Sequence, residues 1–452
     1  MKKLLLGSTA LIVGGLMAAP AMAADPIKIG VGGYYTFYAM AGQIDSTYAL
    51  NGSSTQYKGV NFIQEGEIHF IGQTKLDNGT TVGLRVELEG WNATPVGAGL
   101  GNRQIDEAYL FAFGDWGRVE FGAKDQASYI MYYGAPSALI GFGFIQHNTN
   151  FAWVSSAAIA NNLAYSHATA STIGSQFQDV NRINYYTPRF AGLQIGVGYA
   201  PKINLAVGAA GLAAGPGQIS GTCGFNDATT SPNCPTNDYS WQDVFDIGAN
   251  YLNKFGDVTV AAYGAFMYAN FVPGLAPLGT ATNLTTGANL TAWKQWVAGL
   301  QFGFAGFTLG ASVGYDNNGL GANMYTNVDN DTRYISAGLM YETGPWQMSF
   351  GWVGSRNTNG NGSLSITAIA PGTNALTMGA PASTSAAFGT NQNTGALSFG
   401  NTTAQKFELG ANYALGPGIK MTGGFLYYNL TGPSNATNQN SWAALLGMDF
   451  RF

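Results

Sequence analysis

Arg85 and Glu87, Arg118 and Glu120, and then Lys124 stand at even spacings within stretches that alternate polar and apolar residues. In an extended strand such spacing puts the side chains on one face. Charges of both signs on one face do no covalent chemistry. Across a narrow aqueous gap they set up a field that orients dipolar solutes and excludes apolar ones. Arg182 continues the basic set, and Glu65 and Glu67 fall on the same predicted face. Asp125 and Asp179 bracket a long stretch, 126–180, in which Asp179 is the only charged residue. Each of these groups could equally be an ordinary solvated charge. Arg103 and Asp106 lie where both faces carry apolar residues, so their direction is open.

Catalysis has little to work with. There are three histidines, His69 in an alternating stretch and His147 and His167 in the long one. A histidine in a loop is usually just solvated, and no zinc spacing or phosphate-binding Gly-Lys loop appears. No cofactor is implied. The cysteines are Cys223 and Cys234, with ten residues between them, in a Pro/Asn-rich stretch. In an oxidising compartment two such cysteines are expected to pair, closing a loop worth about 3 kcal/mol in the chain-entropy model. As metal ligands they lack nearby histidines.

The elements that must position these charges follow from composition and period. Only 10% of the 452 residues are charged, 13% are aromatic, and 64 are glycine. Soluble domains average roughly 25% charged residues. Disorder does not fit so many aromatics. After the first two dozen residues no apolar run is long enough for a membrane-spanning helix. Neutral mean hydropathy with abundant glycine and aromatics fits a membrane-spanning β-barrel.

The period is two. Val82, Leu84, Val86 and Leu88 oppose Thr81, Gly83, Arg85, Glu87 and Glu89. Phe407, Leu409, Ala411 and Tyr413 oppose Lys406, Glu408, Gly410 and Asn412. Sixteen such segments can be placed: 27–40, 60–75, 80–91, 103–114, 116–125, 181–188, 191–201, 242–254, 257–270, 293–304, 306–316, 331–343, 345–356, 403–414, 418–430 and 441–452. Short connections, such as Asp77-Asn78-Gly79 and Gly114-Asp115, alternate with long ones at 126–180, 202–241, 271–292 and 357–402. That alternation is expected of an up-and-down outer-membrane barrel with short periplasmic turns and long external loops. The fold expected is therefore all-β, a transmembrane antiparallel barrel of 16 strands. Tyrosines and tryptophans near strand ends, such as Tyr251, Tyr413, Tyr427 and Trp442, suit headgroup depth.

Residues 1–23 read as a cleaved bacterial signal peptide: Lys2 and Lys3, an apolar stretch 4–17, then Ala21-Met22-Ala23. Cleavage after Ala23 or Ala24 is equally acceptable. The remaining 24–452 forms one domain, because a closed barrel cannot be divided. Losing Lys2 and Lys3 leaves 17 basic against 24 acidic residues, a formal charge of −7. That balance argues against a nucleic-acid partner.

Three stretches resemble the trimeric general porins of Gram-negative bacteria, with an alphaproteobacterial cast. EIHFIGQTKLDNGTTVGLRVELEG at 67–90 is similar to the family's second hairpin, through Gly72, Leu76 and Gly79. RQIDEAYLFAFGDWGRVEFGAKDQ at 103–126 resembles its fourth and fifth strands, with Gly114-Asp115-Trp116-Gly117 as the turn. NRINYYTPRFAGLQIGVGY at 181–199 resembles a later hairpin, through Asn181, Ile183, Tyr185, Pro188, Phe190 and Gly192. The terminal Phe452 is similar to the signal read by the barrel-assembly machinery.

The resemblance implies a homotrimer set in outer-membrane lipid and lipopolysaccharide, each chain with a water-filled pore for passive diffusion. It also implies that the third external loop, here 126–180, folds inward and narrows the lumen. That loop departs from the family by being long, aromatic and almost uncharged. The residues expected to line the constriction are Arg85, Arg118, Lys124, Arg182, Glu87, Glu120, Asp125 and Asp179. Two other functions stay open: a substrate-selective porin that uses the aromatic loop, and a structural or adhesive barrel with a plugged lumen. Ion preference is also open.

Overall fold

The computed structural model describes residues 26–50, 53–90, 105–139, 177, 179–203, 240–272, 282–283, 288–323, 329, 331–361, 399–431 and 439–452. Sixteen strands close into one antiparallel barrel. They are β1 (Lys28–Leu50), β2 (Ser53–Lys75), β3 (Thr81–Glu89), β4 (Ile105–Gly114), β5 (Gly117–Lys124), β6 (Val180–Tyr186), β7 (Leu193–Ile203) and β8 (Ser240–Phe255). The second half is β9 (Val258–Val272), β10 (Trp293–Phe304), β11 (Phe307–Asp316), β12 (Thr332–Thr343), β13 (Trp346–Asn361), β14 (Phe399–Gly416), β15 (Ile419–Thr431) and β16 (Gln439–Arg451). Each strand pairs with its sequence neighbours, and β1 pairs with β16 across the seam, Tyr34 opposite Arg451. The last residue belongs to that seam: Gly33 N–H donates to the Phe452 carbonyl at 3.0 Å, and Phe452 N–H donates back at 3.1 Å. Closure leaves no open edge, so every strand has a neighbour on both sides, as a bilayer requires.

The alternation read from sequence is the alternation of the wall. Leu84, Phe121, Leu409 and Leu446 are exposed on the outer face, Phe121 by 62%. Their sequence neighbours Glu120, Glu408 and Leu445 are buried on the inner face. A soluble fold could not carry so broad an apolar exterior. The tight turns match as well. Ala305 and Gly306 both have positive φ, 51° and 83°, as a two-residue type I′ hairpin demands.

Two features depart from the sequence expectation. β1 and β2 each run 23 residues, well past 27–40 and 60–75, and β13 and β14 also outrun their segments. Ladder pairing in these four strands continues past the alternating stretch, so hydropathy alone marks only part of them. Second, the expected loop 271–292 is not structureless: Thr282–Asn283 and Ala288–Leu290 form a small separate sheet with Leu320–Asn323. The signal segment, the cysteine loop and residues 140–176 lie outside the described residues.

Candidate functional site

Immediately after β5 the chain turns onto the inner face of the barrel. Residues 127–130 make one helical turn, α1 (Ala127–Ile130), and the chain then runs on to Leu139 against the far wall. It crosses β7 to β15 in order. A segment without regular structure must find partners for its backbone groups. The wall supplies them as side chains. Asp246 of β8 accepts from Ser128 N–H at 2.8 Å, and Tyr263 of β9 donates to the Ser128 carbonyl at 2.6 Å. Asn250 donates to the Met131 carbonyl at 3.1 Å, and Gln301 to that of Gly134 at 2.6 Å. Ser349 Oγ accepts from Ala138 N–H at 2.8 Å, and Asn412 donates to the Ala138 carbonyl at 2.8 Å. Tyr132 joins Ser312 at 2.6 Å, and Ser137 donates to Glu408.

Close approach needs a wall without side chains at the crossing points. Glycine provides it. A Cβ on Gly248 would lie 2.9 Å from Ser128 Cα, and one on Gly338 would lie 3.0 Å from the Pro136 carbonyl. On Gly299 and Gly310 it would run into the carbonyls of Tyr133 and Gly134. On Gly410 it would meet Leu139 N at 3.0 Å. These five glycines, on β8, β10, β11, β12 and β14, form a track into which the segment sits.

Three charged clusters lie around the start of the segment, and two of them anchor it. Lys124 Nζ donates to both oxygens of Glu107, at 2.7 and 2.8 Å, and Asp125 N–H donates to Glu107 at 3.0 Å. Asn184 donates to the Asp125 carbonyl at 2.8 Å. Deeper in, Arg182 and Asp246 form a fully buried pair at 3.4 Å, with Arg182 also donating to the Phe177 carbonyl. The third cluster is on the open wall. Arg118 Nε meets Glu120 at 2.7 Å, and its guanidinium lies 4.8 Å over the Phe111 ring. Arg85 and Glu87 sit beside His69 and Glu67.

The sequence-predicted set is thus divided. Arg85 and Glu87 pair on β3, and Arg118 and Glu120 pair on β5. Lys124 and Asp125 are joined through Glu107 at the root of the segment. Arg182 is 2% exposed and paired behind the segment rather than toward open water. Asp179 is grouped with Glu107 and Asp125, their carboxylate oxygens within 4.8 Å of one another. Cys223 and Cys234 lie outside the described residues.

Glu107 and Asp246 were missed by the sequence reading, Glu107 because the register breaks beside it; Asp246 was legible, since it alternates with the outward Phe245 and Ile247. A bulge in β8 sets Gln242 opposite Asn270 but Phe245 opposite Tyr268. Asp243 takes φ 49° there and accepts from Tyr199 at 2.9 Å. A second irregularity in β4 places Leu88 opposite Ile105 but Val86 opposite Ala108. Strict alternation fails at both.

Asp125 is pushed up to about 7, first by burial and then by the Glu107 carboxylate, against the opposing Lys124 and Arg182. A carboxyl whose folded value is raised favours the folded state below its ordinary value, and that advantage is lost as pH rises from about 4 to 7. Asp125→Asn is therefore expected to stabilise the protein by about 1–2 kcal/mol more at pH 8.5 than at pH 5. Thermal melts of the detergent-solubilised barrel at both pH values check this. Equal gaps at the two pH values would refute it.

A closed barrel, apolar outside and polar inside, with a chain segment laid along its inner wall, defines an outer-membrane channel of the β-barrel class. The sequence pattern of the Gram-negative porins matches residues 7–270 and 253–450. This chain belongs to the Gram-negative porin family and is an integral outer-membrane channel for passive diffusion. Among solved structures it is similar to the outer-membrane channel DcaP of Acinetobacter baumannii, at 12% identity and TM-score 0.51, covering 94% of this chain and 98% of that one. An anion-selective porin from Comamonas acidovorans matches at 12% identity and TM-score 0.50, over 94% and 100%. A loop-deleted OmpT, an outer-membrane protein of Vibrio cholerae, matches at 12% and 0.50, over 94% and 99%. These likenesses concern the fold. No curated protein matches the chain in sequence.

Proposed function

We propose that this porin narrows its pore between the segment 126–139 and the charged wall of β2 to β5, and that the gap weakly prefers cations. The observation that supports this reading is the line of contacts that lays the segment across β7 to β15. Residues 126–139 contain no charge, so the segment offers hydroxyls, rings and carbonyls to the passing solute. The opposite wall supplies the field. Its inward-facing positions carry Glu65, Glu67, Glu87, Glu89, Glu107 and Glu120 against Arg85, Arg118 and Lys124. Acid outweighs base, which favours cation entry. The pairing of most cations with carboxylates keeps the field modest, and salt screens the rest over about 8–10 Å. Small hydrophilic solutes are the expected cargo, with no chemical step.

The working form is proposed to be a homotrimer in lipid and lipopolysaccharide, assembled after removal of 1–23 and recognised through Phe452 at the seam. A disulfide between Cys223 and Cys234 is proposed for the external loop.

The test is single-channel recording of the refolded mature protein in a planar bilayer under a KCl gradient. Conductance steps in threes, with a reversal potential of the cation-preferring sign that fades at high salt, are expected. An anion-preferring potential would overturn the charge reading. A silent trace from a folded barrel would overturn the open pore.

A further inference from the structure

We propose that Glu67, His69 and Glu87 form a binding site for a borderline divalent cation of the zinc class on the pore wall. Glu67 and His69 are two apart on β2 and so share a face, and His69 is directly opposite Glu87 of β3. The strand ladder itself therefore brings one imidazole nitrogen and two carboxylates together. His69 Nε2 lies 2.8 Å from Glu67 Oε2 and 3.8 Å from Glu87 Oε2. All three donor atoms fall within 4.8 Å of one another. Ligands at 2.0–2.1 Å from a tetrahedral zinc stand about 3.4 Å apart, which the two histidine distances bracket. Nitrogen with two carboxylate oxygens suits zinc-like ions better than the hard cations calcium and magnesium. Positions facing the lumen remain for water, as in sites that keep an open coordination position.

The neighbours are arranged as supporting groups. The Tyr34 hydroxyl donates to the other oxygen of Glu67 at 2.9 Å, holding that carboxylate in orientation. Arg85 Nη2 lies 2.9 Å from His69 Nδ1. A guanidinium only donates, so Nδ1 accepts and the imidazole proton sits on Nε2, pointing at Glu67. A cation at Nε2 takes the place of that proton, which passes through water to Nδ1. Arg85 then leaves Nδ1. Its Nε is buried without an aligned hydrogen bond although 2.5 Å from Glu87 Oε1. Turning fully onto Glu87 gives it one. Binding thus neutralises two carboxylates of the acidic wall and leaves Arg85 in place.

This inference uses the channel reading only for its effect on ion flow; binding is measured apart from it. The refolded mature protein in detergent is titrated with Zn2+ by calorimetry and with Co2+ by visible absorption, alongside a Ca2+ titration. A His147→Ala/His167→Ala variant removes the other two histidines. One Zn2+ per chain is expected, unchanged in that control and lost in His69→Ala. Glu87→Gln should weaken it strongly, and Tyr34→Phe by about tenfold. Heat-modified gel mobility confirms that each variant is folded, and Glu87→Gln serves if His69→Ala does not fold. Zn2+ bound equally by His69→Ala, or Ca2+ bound as tightly as Zn2+, would overturn the site. In bilayers Zn2+ should lower the cation preference of the wild type. A channel that never conducts yet binds Zn2+ through His69 would sink the pore reading and leave the site standing. A conducting channel that binds no Zn2+ would sink the site alone.

Discussion

Gly310→Val is expected to lower the single-channel conductance by about half and to make the open state noisy. The Cβ alone would meet the Gly134 carbonyl and lie 2.9 Å from Pro136 Cδ. Valine adds two methyl groups on the same side. The barrel wall is held by continuous ladders to β10 and β12 on either side of β11. The segment is held to the wall through side-chain hydrogen bonds, so the segment yields. It is pushed from the wall toward the axis, where the water is. Gly299→Val acts the same way through the Tyr133 carbonyl. Gly303 is the control: it is on the same strand and face as Gly299, and a Cβ there meets nothing closer than 3.4 Å. Gly303→Val should conduct as the wild type does. Unchanged conductance in both Gly299→Val and Gly310→Val would show that the segment does not set the pore width.

Asp246→Ala is expected to loosen the root of the segment by about 3–5 kcal/mol, since it leaves a buried guanidinium unpaired. Asp246 does two things at once. It faces Arg182 at 3.4 Å with neither side chain exposed, and it accepts from Ser128 N–H. Its removal strands both partners. Amide hydrogen exchange within 126–139 should accelerate roughly 150- to 5,000-fold, while exchange in the β12–β16 ladders stays slow. Arg182→Met with Asp246→Leu should recover much of the loss, because a packed apolar pair replaces a buried ion pair at little cost. It should not recover all of it, since Ser128 N–H still lacks an acceptor. Uniform acceleration across the barrel would mean that the pair supports the wall rather than the segment.

These two variants separate what the chain shows in one dimension from what it shows in three. Period two and short turns alternating with long connections were legible because a bilayer forces them. Every wall residue must face lipid or water, and every other connection can be short. Leu84 against Arg85, or Leu409 against Glu408, states its direction without help from the rest of the fold. Sixteen strands and their order could be counted, as could the inward-facing charges of β3 and β5.

The partners of those charges were not legible. Arg182 has the same alternation as Arg118, yet one is buried against Asp246 and the other stands on the open wall. The difference lies in which part of the wall the segment covers, and that depends on contacts between residues more than 60 positions apart. Glu107 was hidden because a single-residue irregularity in β4 breaks the alternation beside it, and such a break leaves no mark in hydropathy; the face of Asp246 was legible, but not its partner Arg182. The glycine track was visible only as excess glycine. Five glycines on five strands become one seat when closure of the barrel sets their heights side by side. The sequence by itself determined the class of fold, the face of most strand residues and the family. Only the tertiary structure decided which charges meet, because register and closure, not composition, fix the distances over which charges act.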